Sequence, residues 1–176
     1  MGSLTFAAQV TPLGPLWCRR LWWEGNRVFP RAAPHHLCPV PPHLHRLLRQ
    51  WLSPGLLETA VPWKLSALQL QVYTDASDSG WGFQASNGRQ GRERWEQADA
   101  QRHVNVRELT VPLLSPQKQA DLRQLHVCFY MDNVVAVTCV KRMGYSRSIS
   151  LLRTSEALFN LAASRHLTLS AVHRRR

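Results

Sequence analysis

The chain has 176 residues, 44% of them hydrophobic, enough to bury one sizeable core with an extension beside it. Its 22 Lys and Arg against 11 Asp and Glu give a net charge of +11, which points away from a basic partner and toward a polyanion, nucleic acid first. No apolar run approaches the ~20 residues that cross a bilayer, and no secretory signal opens the chain, so an intracellular protein without a membrane partner, cytoplasmic or nuclear, is expected.

Prolines crowd residues 1–67 and cluster at Pro39, Pro41 and Pro42, where the missing amide donor interrupts any long helix. An irregular, Pro/Trp-rich extension is therefore predicted, with one helix from His43 to Leu52, in which Leu44, Leu47, Leu48, Trp51 and Leu52 form an apolar stripe. His35, His36, Cys38, His43 and His45 are zinc-ligand types, but the interleaved prolines and the lack of paired cysteines make their spacing unlike a closed site. Trp17, Trp22, Trp23, Trp51 and Trp63 can stack bases, although tryptophans near a junction more often fill packing gaps. Cys18, Cys38, Cys128 and Cys139 lie far apart, which favours ordinary thiols over a disulfide framework.

From Leu68 the pattern changes. Leu68, Leu70, Val72 and Thr74 alternate as a strand does, and Asp75 closes it. Trp81 and Phe83, then Asn87-Gly88 as a hairpin turn, then Arg92 to Trp95 predict two more antiparallel strands. A helix is predicted from about Val106, capped by Asn105, with Pro112 as a defect in it. His126 to Met131 is a short apolar run suited to a strand buried on both faces, ended by Asp132 and Asn133. Val134 to Met143 predicts a helix with Gly144 as its C-terminal cap, Ser148 to Ser164 a second, and Leu167 to Val172 the last strand. The fold expected is α/β, a five-stranded mixed sheet in which three antiparallel strands precede two roughly parallel ones joined by helices.

With few acids in the chain, their positions carry information. Asp75 ends the first strand, Glu108 lies in the first turn of a helix, and Asp132 ends a central strand. Strand ends on one edge of an α/β sheet meet at a common rim. Three carboxylates there repel unless divalent cations supply the opposing charge, and Mg²⁺ takes hard oxygen ligands. Two such ions ~4 Å apart activate water and stabilise the leaving oxygen in phosphodiester cleavage. Each acid also has a plainer reading, a turn cap, a helix N-terminus preference or an Asx-turn. Arg89, Arg92 and Arg94, Arg102, and then Lys141, Arg142 and Arg147 flank these acids in sequence and suit phosphate contacts, or else form a solvated basic face.

Val72-Tyr-Thr-Asp-Ala-Ser-Asp-Ser-Gly-Trp-Gly-Phe83 resembles the first strand and turn of the ribonuclease H domains fused to reverse transcriptases, particularly those of DIRS-like tyrosine-recombinase retrotransposons. His103-Val-Asn-Val-Arg-Glu-Leu109 resembles the segment with that family's catalytic glutamate, and Tyr130-Met-Asp-Asn133 the strand end with its next aspartate. The resemblance covers about Leu68 to His173 and implies a ribonuclease H-like domain over 68–176 behind a connection-like extension over 1–67. It further implies that Asp75, Glu108 and Asp132 are catalytic and bind two Mg²⁺ ions, with Mn²⁺ as an alternative. The expected reaction is hydrolysis of the RNA strand of an RNA–DNA hybrid, beside the polymerase domain of a reverse transcriptase. That family continues past its last strand with a His-x-x-Gly turn and a helix bearing a fourth carboxylate. Here Ser170-Ala-Val-His173 begins the passage, Arg174, Arg175 and Arg176 follow, and no acid lies after Glu156. A C-terminally shortened domain is thus expected, and a non-catalytic nucleic-acid-binding or interaction module stands as the alternative function.

Overall fold

Alternation of buried and outward side chains builds the sheet of the larger unit. In the computed structural model, which describes residues 2–29, 39–53 and 68–174, the chain divides into two units, Met1–Trp63 and Lys64–Arg176. In the first are the helices α1 (Gly2–Ala7), α2 (Gly14–Val28) and α3 (Pro42–Arg49), the last running into a 3₁₀ turn at Gln50–Leu52. This unit holds more helix than predicted. Pro15 sits at the start of α2, where its fixed φ favours a helix and its missing amide costs nothing, and Leu16, Cys18 and Leu21 form the buried side. Glu24 is buried too, held by Arg20 at 3.0 Å and Arg27 at 3.1 Å, with His43 at 3.7 Å. His35, His36, Cys38 and Trp63 lie outside the described residues.

The second unit is α/β, with five strands, β1 (Leu68–Ala76), β2 (Gly80–Ala85), β3 (Gln90–Arg94), β4 (His126–Met131) and β5 (Thr168–His173), in the order β3-β2-β1-β4-β5. β1, β2 and β3 pair antiparallel, whereas β4 lies parallel to β1 and β5 parallel to β4. This is the mixed sheet expected from the sequence, consistent with a ribonuclease H-like fold. The Asn87-Gly88 turn joins β2 to β3, and Gly88 takes the left-handed φ of 84° that such turns require. β3 is an edge strand whose Arg92, Glu93 and Arg94 are exposed.

After a short helix, α4 (Gln97–Ala100), come α5 (Val104–Gln117), α6 (Val134–Lys141) and α7 (Ile149–Ser164). One core joins them to the sheet: Leu70 and Val72 of β1, Trp81 and Phe83 of β2, Val127, Phe129 and Met131 of β4, and Ala171 of β5 meet Leu109, Val137 and Leu158. The intervening residues, Tyr73, Gln84, Tyr130 and Val172, project from the opposite face, as a period of two dictates. No helix among the described residues is long and apolar enough to cross a membrane. Cys18, Cys128 and Cys139 are buried free thiols.

Two helix ends differ from expectation. α5 starts at Val104, and its cap is His103, whose Nδ1 accepts from the Asn105 amide at 3.2 Å. Asn105 is thereby released for another task. The helix also passes through Pro112, which withholds the amide that would bond the Glu108 carbonyl, and Pro112 is fully buried. At the end of α6 Gly144 acts in the cap as expected, left-handed at φ 81° with its amide bonded to the Cys139 carbonyl at 2.7 Å, but Met143 before it is left-handed too, at φ 46°.

Phe129 is 0% exposed at the centre of this core. Phe129→Ala is expected to lower unfolding free energy by about 3–5 kcal/mol in a urea titration, whereas Val172→Ala, on the other face, should cost under about 1.5 kcal/mol.

Candidate metal centre

Parallel pairing of β1 with β4 places the site. The paired rows end with Tyr73 opposite Tyr130, so Asp75 and Asp132 each follow two residues later and reach the same rim on neighbouring strands. Glu108 arrives from the helix-covered side, 3% exposed, just over one turn into α5, which packs against β1 and β2. One carboxylate oxygen from each of the three lies within 4.8 Å of the others. Among the described residues no other group of three His, Cys, Asp or Glu side chains converges in this way.

At that separation each ionised pair repels by at least about 3 kcal/mol at an effective dielectric of ~20. A cation removes this penalty. The donor set consists of carboxylate oxygens alone, without the nitrogen or sulfur that softer metals select, and Asp75 is exposed, which leaves an open side. The three residues can therefore hold a metal ion.

Neighbouring side chains hold the acids in place. Asn133 caps α6 by accepting from the Ala136 amide at 2.9 Å, and its Nδ2 donates to Asn105 Oδ1 at 2.9 Å. The residue after Asp132 is thus tied to the first turn of the helix bearing Glu108. From β5, His173 Nε2 donates to the Asp132 carbonyl at 3.0 Å. On the other flank, Arg107 donates to the Ser77 carbonyl at 3.2 Å and pairs with Asp78 at 2.6 Å, which fastens α5 to the turn just after Asp75. Trp95 Nε1 donates to the same Ser77 carbonyl at 2.8 Å.

The predicted basic residues separate into distinct places. Arg92 stands opposite Gly82, which stands opposite Asp75, so this arginine shares a row with the carboxylate across three strands. Arg92 and Arg94 line a groove of about 460 Å³ together with Asp75, Ser77 and Gly82. Arg89 is paired with Asp121, away from that groove, and the guanidinium holds the Asp121 carboxyl below the usual carboxylate range. Lys141 lies at the far end of α6, a helix about 12 Å long at a 1.5 Å rise per residue. Arg142 stacks over Tyr145 at 5.1 Å, and Arg147 follows in the exposed loop before α7.

Sequence reading passed over several residues at the site. Asn105 and Asn133 act as a cross-link, and the signal for Asn133 was its place between a strand and a helix, where a cap is needed. Arg174 joins Tyr73, Asp75, Tyr130 and Asp132 around a cleft of about 490 Å³. A third cleft is lined by Arg102, His103, Ser148, Ser150 and Arg153. Comparison with protein-family models and with curated proteins finds no match.

Asn105→Ala removes the cross-link to Asn133 without touching the α6 cap. It is expected to weaken Mn²⁺ binding by about 10–100-fold in calorimetric titration while the thermal midpoint moves little. For Asp121, a lowered folded-state pKa means the ion pair stabilises above the unfolded pKa and is lost as pH falls through the lower value. Arg89→Ala should bring the Asp121 titration, followed by carboxyl chemical shift, back up to the ordinary carboxylate range.

Proposed function

We propose that this chain is a ribonuclease H-type endonuclease that hydrolyses the RNA strand of RNA–DNA hybrids in retroelement reverse transcription. The observation that carries the reading is the convergence of Asp75, Glu108 and Asp132 within 4.8 Å at the sheet rim, from strand, helix and strand in that chain order. The sequence blocks around these acids, and the mixed sheet beneath them, support it. In this reading the three carboxylates hold Mg²⁺, or Mn²⁺ in its place, in a pair when the site is full. The bound ions would supply a polarised water and neutralise charge on the phosphodiester. The protein's own part is positional: Asp75 and Asp132 present oxygens from adjacent strand ends, Asn133 and Asn105 fix Asp132 relative to Glu108, and Arg107 fixes the turn after Asp75. Arg92 and Arg94, in the groove beside Asp75, meet backbone phosphates of the duplex, with Lys141, Arg142, Arg147 and Arg89 as outlying basic positions. A reverse transcriptase polymerase domain is the proposed partner and an intracellular compartment the proposed location.

A labelled hybrid incubated with the full chain and Mg²⁺ should be cut in its RNA strand. Asp132→Asn should lower the rate by about a hundredfold or more, ~2.7 kcal/mol or greater in the barrier, with binding in EDTA unchanged. Absence of cleavage by the wild-type chain under these conditions would sink the nuclease reading.

A second reading rests on a specific feature, the excess of 22 Lys and Arg over 11 Asp and Glu. It assigns the chain a non-catalytic, nucleic-acid-binding role through its +11 charge. This predicts salt-sensitive binding with no cleavage.

A further inference from the structure

The sheet face opposite the helical core carries an aromatic pair directly behind the carboxylates. Tyr73 and Tyr130 are Cα partners on the parallel strands β1 and β4, and their rings stack at 4.8 Å with planes 23° apart. Both are half-buried. Arg174 lies with its guanidinium 5.3 Å from the centre of the Tyr73 ring. Together with Gln84, Asp75 and Asp132 these groups line one cleft of about 490 Å³, within the range of small-ligand sites. None of them belongs to the hydrophobic core.

The combination selects for a nucleotide. Flat aromatic rings accept the face of a base regardless of its identity, an arginine beside them adds a cation–π or phosphate contact, and a metal-loaded carboxylate cluster takes the phosphate. Two residues along a strand span about 6.6 Å, so the ring pair stands one short step from the acids, a separation that a nucleoside bridges between its base and its phosphate. A paired base cannot use such a platform, because both its faces are covered within the duplex stack. We propose that Tyr73, Tyr130 and Arg174 form a stacking site for an unpaired nucleotide of a nucleic-acid strand, adjoining the carboxylate cluster. The site would make the chain prefer substrates with a single-stranded extension or junction over blunt duplexes. The proposal borrows the nature of the strand from the nuclease reading, but the stacking itself needs neither metal nor cleavage.

The test is fluorescence anisotropy in EDTA with the full chain and two labelled probes, a blunt RNA–DNA hybrid and the same hybrid with a short single-stranded extension, made once in RNA and once in DNA. The extended probe is expected to bind about tenfold more tightly than the blunt one, which is ~1.4 kcal/mol. Tyr73→Ala and Tyr130→Ala should each erase most of that gain, while Tyr73→Phe and Tyr130→Phe, which keep the ring and the fold, should retain it. The gain requires no cleavage, so a wild-type chain that shows the gain but never cleaves refutes the nuclease reading alone. Equal affinity for the two probes overturns the stacking site. So does a gain that survives both alanine changes, or one that the phenylalanine variants lose. Displacement of the extended probe by a free mononucleotide at the same concentration as a competing strand would overturn the assignment to a strand.

Discussion

Parallel pairing between β1 and β4 is the constraint on which the centre of this molecule depends. A slip of one residue in that register would turn Asp75 or Asp132 to the other face, and no adjustment of side chains could bring the two back together. The pairing is itself fixed by the core, because Val72 and Phe129 must face the helices. Hydrophobic burial, which carries no chemistry, thereby sets the separation of groups that do. The cost is electrostatic. Three like charges are held against their mutual repulsion by a scaffold that is already committed, and the charge of the rest of the chain is strongly of the opposite sign.

What the scaffold leaves adjustable is handled by hydrogen bonds. Glu108 comes from a helix and has no register to fix it, so its position depends on how α5 is fastened at its start. Three ties do this: the His103 cap, the Asn105 to Asn133 bond and the Arg107 bonds to the β1–β2 turn. Arg107 is the most demanding of them. Its side chain is 9% exposed, while that of its partner Asp78 is 98% exposed, so most of the desolvation falls on the cation and is offset chiefly by the Ser77 carbonyl and the Asp78 contact.

Much of the larger unit was legible because burial there is regular. The continuous apolar run of β4 and the alternation in β1 read directly as strands, and the Ser148 cap and apolar face of α7 read as a helix. The three acids stood out because the chain has few. Less legible were features decided by a partner distant in sequence. Nothing local to Asn105 shows that it bonds to Asn133, and its position before Val106 suits the cap that His103 provides. Nothing near Met143 marks it as left-handed in addition to the glycine that follows it. In the first unit, Trp and Arg residues blurred the apolar face of α2, and prolines that start a helix were read as ones that break it. The basic residues divided for a similar reason: Arg92 shares a row with Asp75 only because the one strand between them presents a glycine there, a relation that sequence distance does not express.

β3, at the margin of the sheet, has a consequence of another kind. An outer strand exposes a line of unsatisfied amides and carbonyls to which any extended chain can add itself, and this is how many sheets begin to aggregate. Here that margin carries Arg92, Glu93 and Arg94, charged side chains that are disfavoured against an apolar newcomer. The same arginines that stand beside Asp75 therefore also keep copies of the protein from zipping together, and a change that neutralised them would trade away solubility along with charge.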